Sequence, residues 1–213
     1  MVEQSVIERA FADALEGAEQ DDPTRNRILD AAFALFCRNG IQRVSMNDVA
    51  GAAGVARVTL YRRFADRDDL VLQVVRREFR RYFDQFLLDI ATARTVEERV
   101  VAGFVSSLRH VGGNELISRL MVSEPGSVIS SMVSDGGGTL AAVSRFVGGQ
   151  LRREQKAGNV AAGVEVELVA ELMVRVTASF LLTPSRLVDV RDDRQLEELA
   201  RHYLVPLLHP PAP

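Results

Sequence analysis

In this 213-residue sequence, the side chains with the clearest potential for ligand binding are the arginines, and they are concentrated in one block. Residues 24–82 contain twelve arginines against six acidic residues, although the whole chain has a net charge of −3. The planar guanidinium group carries five N–H donors and matches both a phosphate group and the major-groove edge of guanine. The block therefore indicates a binding surface for a polyanion, although a solvated helical face would have a similar composition.

Residue types that serve nucleophilic or metal chemistry are few and far apart. His110, His202 and His209 have no metal-ligand spacing with one another, and Cys37 is the single cysteine. We expect a packed thiol at Cys37 and surface or helix-end positions for the histidines. The sequence contains no GxSxG, HExxH or phosphate-loop pattern. We therefore predict no enzyme activity, no cofactor and no metal site.

The composition is typical of a soluble globular chain, with 47% apolar and 26% charged residues. No apolar run approaches the length of about 18 residues that a membrane span needs, and the acidic opening of the sequence is unlike a signal peptide. A single cysteine is typical of a reducing compartment. We therefore expect a cytoplasmic protein.

The elements that must position the arginines are predicted to be helices throughout, so the expected fold class is all-α. Apolar residues recur at helical spacing, and helix breakers fall at intervals of one to two helix lengths. Residues 3–18 could form a short acidic helix or an acidic tail. The other expected helices cover residues 24–39, 45–52, 56–63, 67–91, 96–110, 114–123, 126–134, 139–157, 164–183 and 192–208.

Residues 45–64, SMNDVAGAAGVARVTLYRRF, have the spacing of a helix-turn-helix. Ala50 is small where two helices would cross, and Gly54 lies in the turn, where a positive φ costs little only for glycine. Leu60 would pack the second helix back against the first. Two core helices joined by an Ala/Gly turn would share this spacing, but the surrounding excess of arginine favours DNA binding.

Residues 24–70 resemble the DNA-binding domain of the TetR/AcrR family of bacterial transcriptional regulators. The resemblance is carried by TRNRILDAAFALFCRNG, by SMNDVAGAAGVARVTLYRRF and by the DRDDL that opens the next helix. The segments RVTASFLLTPSR and LARHYLVPLL are similar to the C-terminal region of many actinobacterial members. The resemblance implies an N-terminal helix-turn-helix domain over 24–70 and a helical bundle for ligand binding and dimerisation over 71–213. Residues 1–23 would be an acidic extension.

The resemblance also implies which residues contact a double-stranded DNA operator. The third helix would enter the major groove, with Arg57, Arg62 and Arg63 on its outward side and Val58 available to a thymine methyl group. The full predicted set is Ser45, Arg57, Val58, Thr59, Tyr61, Arg62, Arg63 and Arg67.

The remaining members of that set would contact phosphate. Thr59 and Tyr61 occupy positions that usually touch phosphate in the family. Ser45 is the expected N-cap of the second helix, whose hydroxyl and free N–H groups would form a phosphate site. Arg67 aligns with a basic position that grips the DNA backbone. Ala56 replaces the serine that often starts the recognition helix, which removes a cap.

The helices after residue 80 are rich in phenylalanine and methionine, and they could enclose an apolar pocket for a small hydrophobic effector. A simple packed core would have the same composition. Polar groups such as Arg109 and Arg175 could orient a ligand. The predicted pocket residues are Phe83, Phe86, Phe104, Leu108, Met121, Phe146, Met173 and Thr177.

The last two expected helices are the predicted homodimer surface. Both are apolar on more than one side, so each needs cover from a partner, although burial inside a monomer would also explain the pattern. Leu204 is one of the apolar residues of the last helix. One face of the helix before it contains Val164, Leu168, Leu172, Val176 and Ser179.

Together these features predict a homodimeric repressor that binds a pseudo-palindromic operator and is released by a hydrophobic effector. One alternative is a constitutive DNA-binding protein with no effector. Another is a helical carrier or enzyme for apolar molecules with an incidental basic face, which would bind no specific DNA sequence.

Overall fold

The structure, a computed structural model, describes residues 22–118, 138–183 and 185–209. Within these ranges every regular element is helical, so the all-α prediction is confirmed. The described residues divide into two compact units, of which the first contains residues 22–81 and 114–118 and the second contains the rest. No helix in the described ranges is long and apolar enough to cross a membrane.

Eight α-helices can be delimited in the described part of the chain. A 3-10 turn over Ile41–Arg43 follows the first of them, and the last continues as a π-helical turn over Ala200–Leu204 and a 3-10 turn over Val205–Leu208. In chain order the helices are α1 (Pro23–Asn39), α2 (Met46–Ala53), α3 (Arg57–Tyr61), α4 (Arg67–Ala91), α5 (Val96–Gly113), α6 (Gly138–Lys156), α7 (Val166–Leu182) and α8 (Asp193–Leu199).

Local sequence signals explain the ends of α1 and α2. The side chain of Asp22 accepts hydrogen bonds from the first turn of α1, and Pro23 fits the first helical position because its missing N–H would have no partner there. Ser45 and Asp48 form the expected capping box at α2. Gly54 ends α2 in the left-handed conformation, with φ 61°, as predicted.

The first unit is built around side chains from α1 to α4 that are almost completely buried. The apolar periodicity of α1 and the expected crossing of α2 and α3 therefore produce one shared core. Its largest buried members are Ile28, Leu29, Phe36, Val49, Leu60, Phe64, Leu70 and Val74. Cys37 is also buried in this unit, as expected for a packed thiol.

The second unit has its own apolar core, in which α7 packs against α5 and α6 and the C-terminal helical segments pack against α5. The core cluster includes Phe104, Leu108, Met173, Leu196 and Leu204. Each of these helices therefore turns one apolar stripe toward the same interior.

Two boundaries differ from those expected. The compact units divide inside α4, between Arg81 and Tyr82, whereas the sequence placed a domain boundary after residue 70. The expected helix over 192–208 is continuous from Asp193 to Leu208, but its hydrogen bonding is α-helical only as far as Leu199. Pro206 explains the change, since proline has no N–H and its ring clashes with the carbonyl four residues earlier.

Some sequence predictions fall outside the described residues. Residues 115–118 are helical, but the rest of the expected helix over 114–123 lies outside them. The same holds for the expected helices over 3–18 and 126–134 and for the predicted pocket residue Met121.

Candidate functional site

The turn between α2 and α3 sets the direction of the short third helix. The N–H of Gly54 bonds to the carbonyl of Gly51, and the N–H of Val55 bonds to that of Ala50 at 3.0 Å, which closes α2 tightly. Leu60 is completely buried and fastens α3 to the core. No side chain caps α3 at Ala56, as predicted, so packing rather than capping holds this five-residue helix.

Four residues on α3 and at its C-cap form an exposed surface, here called the α3 face: Arg57, Val58, Tyr61 and Arg62. Val58 is 78% exposed. The guanidinium carbon of Arg57 lies 5.8 Å from the centre of the Tyr61 ring. Within the described residues, neither Arg57 nor Arg62 has a carboxylate partner. The α3 face therefore presents two guanidinium groups that have no carboxylate partner among the described residues, beside an apolar side chain.

The hydroxyl of Ser45 is already hydrogen-bonded within the protein. It accepts a bond from the N–H of Asp48 at 3.3 Å and donates to a carboxylate oxygen of Asp48 at 2.7 Å. These bonds to Ser45 hold the pKa of Asp48 below its usual value, so this carboxyl group is ionised at neutral pH. The expected phosphate site at Ser45 therefore includes a fixed negative charge that the sequence reasoning did not consider.

Arg67 does not project freely as expected. Its Nε donates to the carbonyl of Val44 at 3.1 Å, and a terminal nitrogen donates to the carbonyl of Ile41 at 2.6 Å. Its other terminal nitrogen lies 3.6 Å from Asp68. Arg67 thus binds backbone carbonyls of the segment before α2, which its long side chain is able to reach.

Arg63 also differs from its predicted position on the outward side of α3. The helix ends at Tyr61, so Arg63 lies in the following turn, and its Nε donates to Asp22 at 2.9 Å. Thr59 is half-buried on the flank of α3. Of the predicted DNA-contacting residues, the structure therefore places four together on the α3 face and gives Arg63 and Arg67 partners inside the protein.

The predicted pocket residues of the second unit fall into two groups. The first contains Phe83, Phe86 and Phe146, which form an aromatic cluster with Tyr82, a residue outside the predicted set, where α4 meets α6. The rings of Phe83 and Phe86 lie 5.7 and 6.1 Å from that of Phe146, with tilted and edge-on geometries that are favourable for aromatic pairs.

The second group belongs to the core cluster of α5 and α7. Phe104, Leu108 and Met173 are buried in it, and the Phe104 ring meets that of Phe180 edge-on at 6.1 Å. The hydroxyl of Thr177 donates to the carbonyl of Met173 in its own helix. These residues pack against other side chains of the unit, which agrees with the alternative that they form a simple packed core.

The charged groups proposed to orient a ligand are on the surface instead. Arg109 pairs with Asp193, and Arg175 pairs with Glu171 one helical turn earlier. Both arginines are exposed, so the expectation that they point into a pocket is wrong.

A polar contact between α4 and α5 was missed by the sequence reasoning. The hydroxyls of Tyr82 and Ser107 lie 2.9 Å apart, and His110 Nε2 lies 3.1 Å from Asp89. Burial raises the pKa of Tyr82 to about 12, although the bond to Ser107 acts in the opposite direction. Nothing in the local sequence indicates these pairs, because each joins residues more than twenty positions apart.

The helix-turn-helix lies inside a segment that matches a known protein family. Residues 28–74 match the family described as bacterial regulatory proteins, tetR family. These residues belong to the TetR/AcrR family. The matching segment runs from the second turn of α1 into α4, so it contains the α3 face but not Asp22.

Similar TetR-family chains extend the likeness beyond this domain. An uncharacterised HTH-type transcriptional regulator of Mycobacterium tuberculosis is 28% identical over 193 residues, which are 91% of this chain and 89% of that protein. The solved structure of Salmonella enterica GusR matches with a TM-score of 0.64 and 20% identity, over 89% of this chain and 97% of that one.

A second similar structure is the transcriptional regulator FadR of Bacillus subtilis in complex with stearoyl-CoA, with a TM-score of 0.59 and 18% identity. The match covers 86% of this chain and 97% of that one, and at this identity it shows the fold. The matched family consists of regulatory proteins, and both the M. tuberculosis relative and FadR are transcriptional regulators, so this chain is a transcriptional regulator and not an enzyme.

Proposed function

We propose that this TetR-family regulator is a cytoplasmic repressor that binds a pseudo-palindromic DNA operator as a homodimer. The observation that carries the proposal is the α3 face, where Arg57 and Arg62 are exposed, unpaired within the described residues and adjacent to an exposed valine. Guanidinium groups read guanine in the major groove, and an apolar side chain contacts the thymine methyl group.

The homodimer is supported by apolar side chains left uncovered on α7. Leu168 is 50% exposed and Leu172 is 41% exposed, and they lie one helical turn apart. Two reading heads related by a two-fold axis, about 34–36 Å apart, would meet successive major grooves on one side of B-DNA. A self-complementary interface on α7 would supply that symmetry.

The effector in this proposal is a small hydrophobic molecule bound in the second unit. FadR of B. subtilis, which has the same fold, was solved with stearoyl-CoA. In this chain the aromatic cluster and the adjacent core supply the apolar surface such a ligand needs. Because α4 contributes residues to both units, a ligand-induced shift of α4 would alter operator binding, and operator would weaken ligand binding by the same factor.

The proposal is tested by selecting genomic DNA fragments on the full-length protein and measuring their affinity for variants. Arg57→Ala and Arg62→Ala should each reduce affinity for the selected site by about 1–3 kcal/mol. Arg145→Ala is the matched control, because Arg145 is an exposed arginine of the second unit. Failure of the wild-type protein to enrich any sequence, or equal losses in all three variants, would contradict the proposal.

A further inference from the structure

Arg63, the residue immediately after the α3 face, is bonded to the start of α1. Its Nε donates to Asp22 Oδ2 at 2.9 Å, and one terminal nitrogen lies 3.5 Å from Oδ1. The Arg63 side chain is 20% exposed, and its other terminal nitrogen is buried without a hydrogen-bond partner among the described residues. A carboxylate therefore already neutralises this guanidinium, in contrast to Arg57 and Arg62.

Asp22 does more than cap α1. Its Oδ1 accepts bonds from the N–H groups of Thr24 and Arg25 at 2.9 and 3.1 Å, so one oxygen supplies the cap. Serine caps helices equally well but has a single oxygen. The bond that Arg63 Nε donates to Oδ2 needs the second oxygen of the carboxylate. The Arg63 guanidinium also holds the pKa of Asp22 below its usual value, so the carboxylate is charged at neutral pH.

The next residue is fastened to the same turn of α1. Phe64 is completely buried, and the guanidinium carbon of Arg25 lies 5.5 Å from the centre of its ring. Both residues that follow the α3 face are thus held by α1. Because α3 is short and has no side-chain cap, these contacts fix the end of the helix.

We propose that Asp22 is a positioning residue that determines specificity, because it holds Arg63 against α1 and away from DNA phosphates. DNA is then read by the α3 face, and Arg63 adds no sequence-independent attraction. Without the Asp22 carboxylate, Arg63 becomes one extra phosphate contact in each subunit. An extra phosphate contact strengthens binding to every sequence alike, so preference for the operator falls. This inference rests on the DNA-binding function proposed above.

The test compares Asp22→Ser with Asp66→Ser in the full-length protein, on the selected operator and on random duplex DNA between 50 and 200 mM salt. Asp66 precedes α4 and accepts a bond from the N–H of Asp69, but no arginine pairs with it within the described residues. Both substitutions remove one negative charge near α3 and retain a capping oxygen. Only Asp22→Ser should tighten binding to random DNA and lower the ratio of operator to random affinity.

The salt dependence gives the expected size of the effect. One more phosphate contact steepens the slope of log affinity against log salt by about 0.9, so each subunit should lose about 3.5-fold more affinity over this salt range. Arg63→Gln in the wild-type background should leave the slope unchanged. Arg63→Gln added to Asp22→Ser should restore the wild-type slope.

Three results would overturn the inference. An unchanged slope for Asp22→Ser would show that Arg63 is not released to the DNA. A shallower slope for Arg63→Gln alone would show that Arg63 contacts phosphate in the wild-type protein. An equal change in Asp66→Ser would assign the effect to net charge. If the wild-type protein selects no operator, the proposed function itself fails, which is a separate outcome.

Discussion

Arg77 Nη1 lies 2.9 Å from a carboxylate oxygen of Asp30, and this ion pair joins α4 to α1. The Arg77 side chain is only 4% exposed, whereas that of Asp30 is 63% exposed. Two other nitrogens of Arg77 are buried without a hydrogen-bond partner among the described residues. Burial lowers the pKa of Arg77, which reflects the free-energy cost of keeping a cation away from water.

Replacing Arg77 by methionine should therefore cost little stability. The substitution retains most of the buried aliphatic volume and removes a charge whose desolvation offsets its ion pair. We expect Arg77→Met to lie within about 1 kcal/mol of wild type in denaturant-induced unfolding. Arg81→Met is the control, since Arg81 contacts the same Asp30 but is 58% exposed. A loss of several kcal/mol at Arg77 alone would show that its ion pair is strongly stabilising.

Two glycines around the helix-turn-helix should respond to alanine in opposite directions. Gly54 has φ 61°, and a Cβ there would meet no atom within 4 Å, so only backbone strain opposes the substitution. Gly54→Ala should destabilise the protein by about 1–2 kcal/mol. Gly51 is helical with equally open surroundings, so Gly51→Ala should stabilise it by about 0.5–1 kcal/mol. Changes of the same sign in thermal unfolding would contradict this explanation of the turn.

Arg67 should behave as a structural residue and not as a phosphate contact. Arg67→Ala removes the bonds to the carbonyls of Ile41 and Val44, so it should destabilise the first unit by about 1–3 kcal/mol. The slope of log affinity against log salt should not change, because no phosphate contact is lost. Arg62→Ala is expected to show the reverse, with weaker DNA binding and unchanged stability. A shallower salt slope for Arg67→Ala would restore its predicted contact with DNA.

The contrast between these residues shows which features the sequence could predict. The caps at Ser45 and Gly54 depend on residues within a few positions, so the sequence was sufficient to predict them. The partners of Arg63 and Arg67 lie 41 and 23 or more positions away, and only the tertiary structure brings them together. Pro206 is a different case. A proline interrupts α-helical hydrogen bonding, so the change in the last helix could have been predicted from the sequence alone.

The burial of the Tyr82 hydroxyl predicts a pH dependence of stability. The folded-state pKa of Tyr82 is raised to about 12 from the ordinary value of 10.0, so its contribution to stability is complete below pH 10 and is lost as the pH rises toward 12. The loss should amount to about 2 kcal/mol. Tyr82→Phe should remove this difference between unfolding free energies at pH 9 and pH 12. An equally steep decline in the variant would assign the effect to other groups.

The exposed surface of the C-terminal region refines the expected dimer interface. Leu204 is 3% exposed and belongs to the core of its own subunit, so a charge there would unfold the monomer whether or not a dimer forms. Tyr203, its neighbour, is 73% exposed. Within the two predicted interface helices, the large apolar side chains left exposed are thus Leu168 and Leu172 on α7 and Tyr203 on the last helical segment.

Charges on this surface should separate the subunits without unfolding them. Leu168→Arg combined with Leu172→Arg should yield a folded monomer, because an obligate interface of about 2,000 Å² does not tolerate two buried, unpaired cations. Leu187→Arg is the matched control, since Leu187 is 93% exposed and should accept the charge in either state. Sedimentation should show a dimer for wild type and control and a monomer for the double variant, and operator affinity should fall with the dimer even though the α3 face is unchanged. A wild-type protein that sediments as a monomer at micromolar concentration yet binds its operator tightly would contradict the dimer.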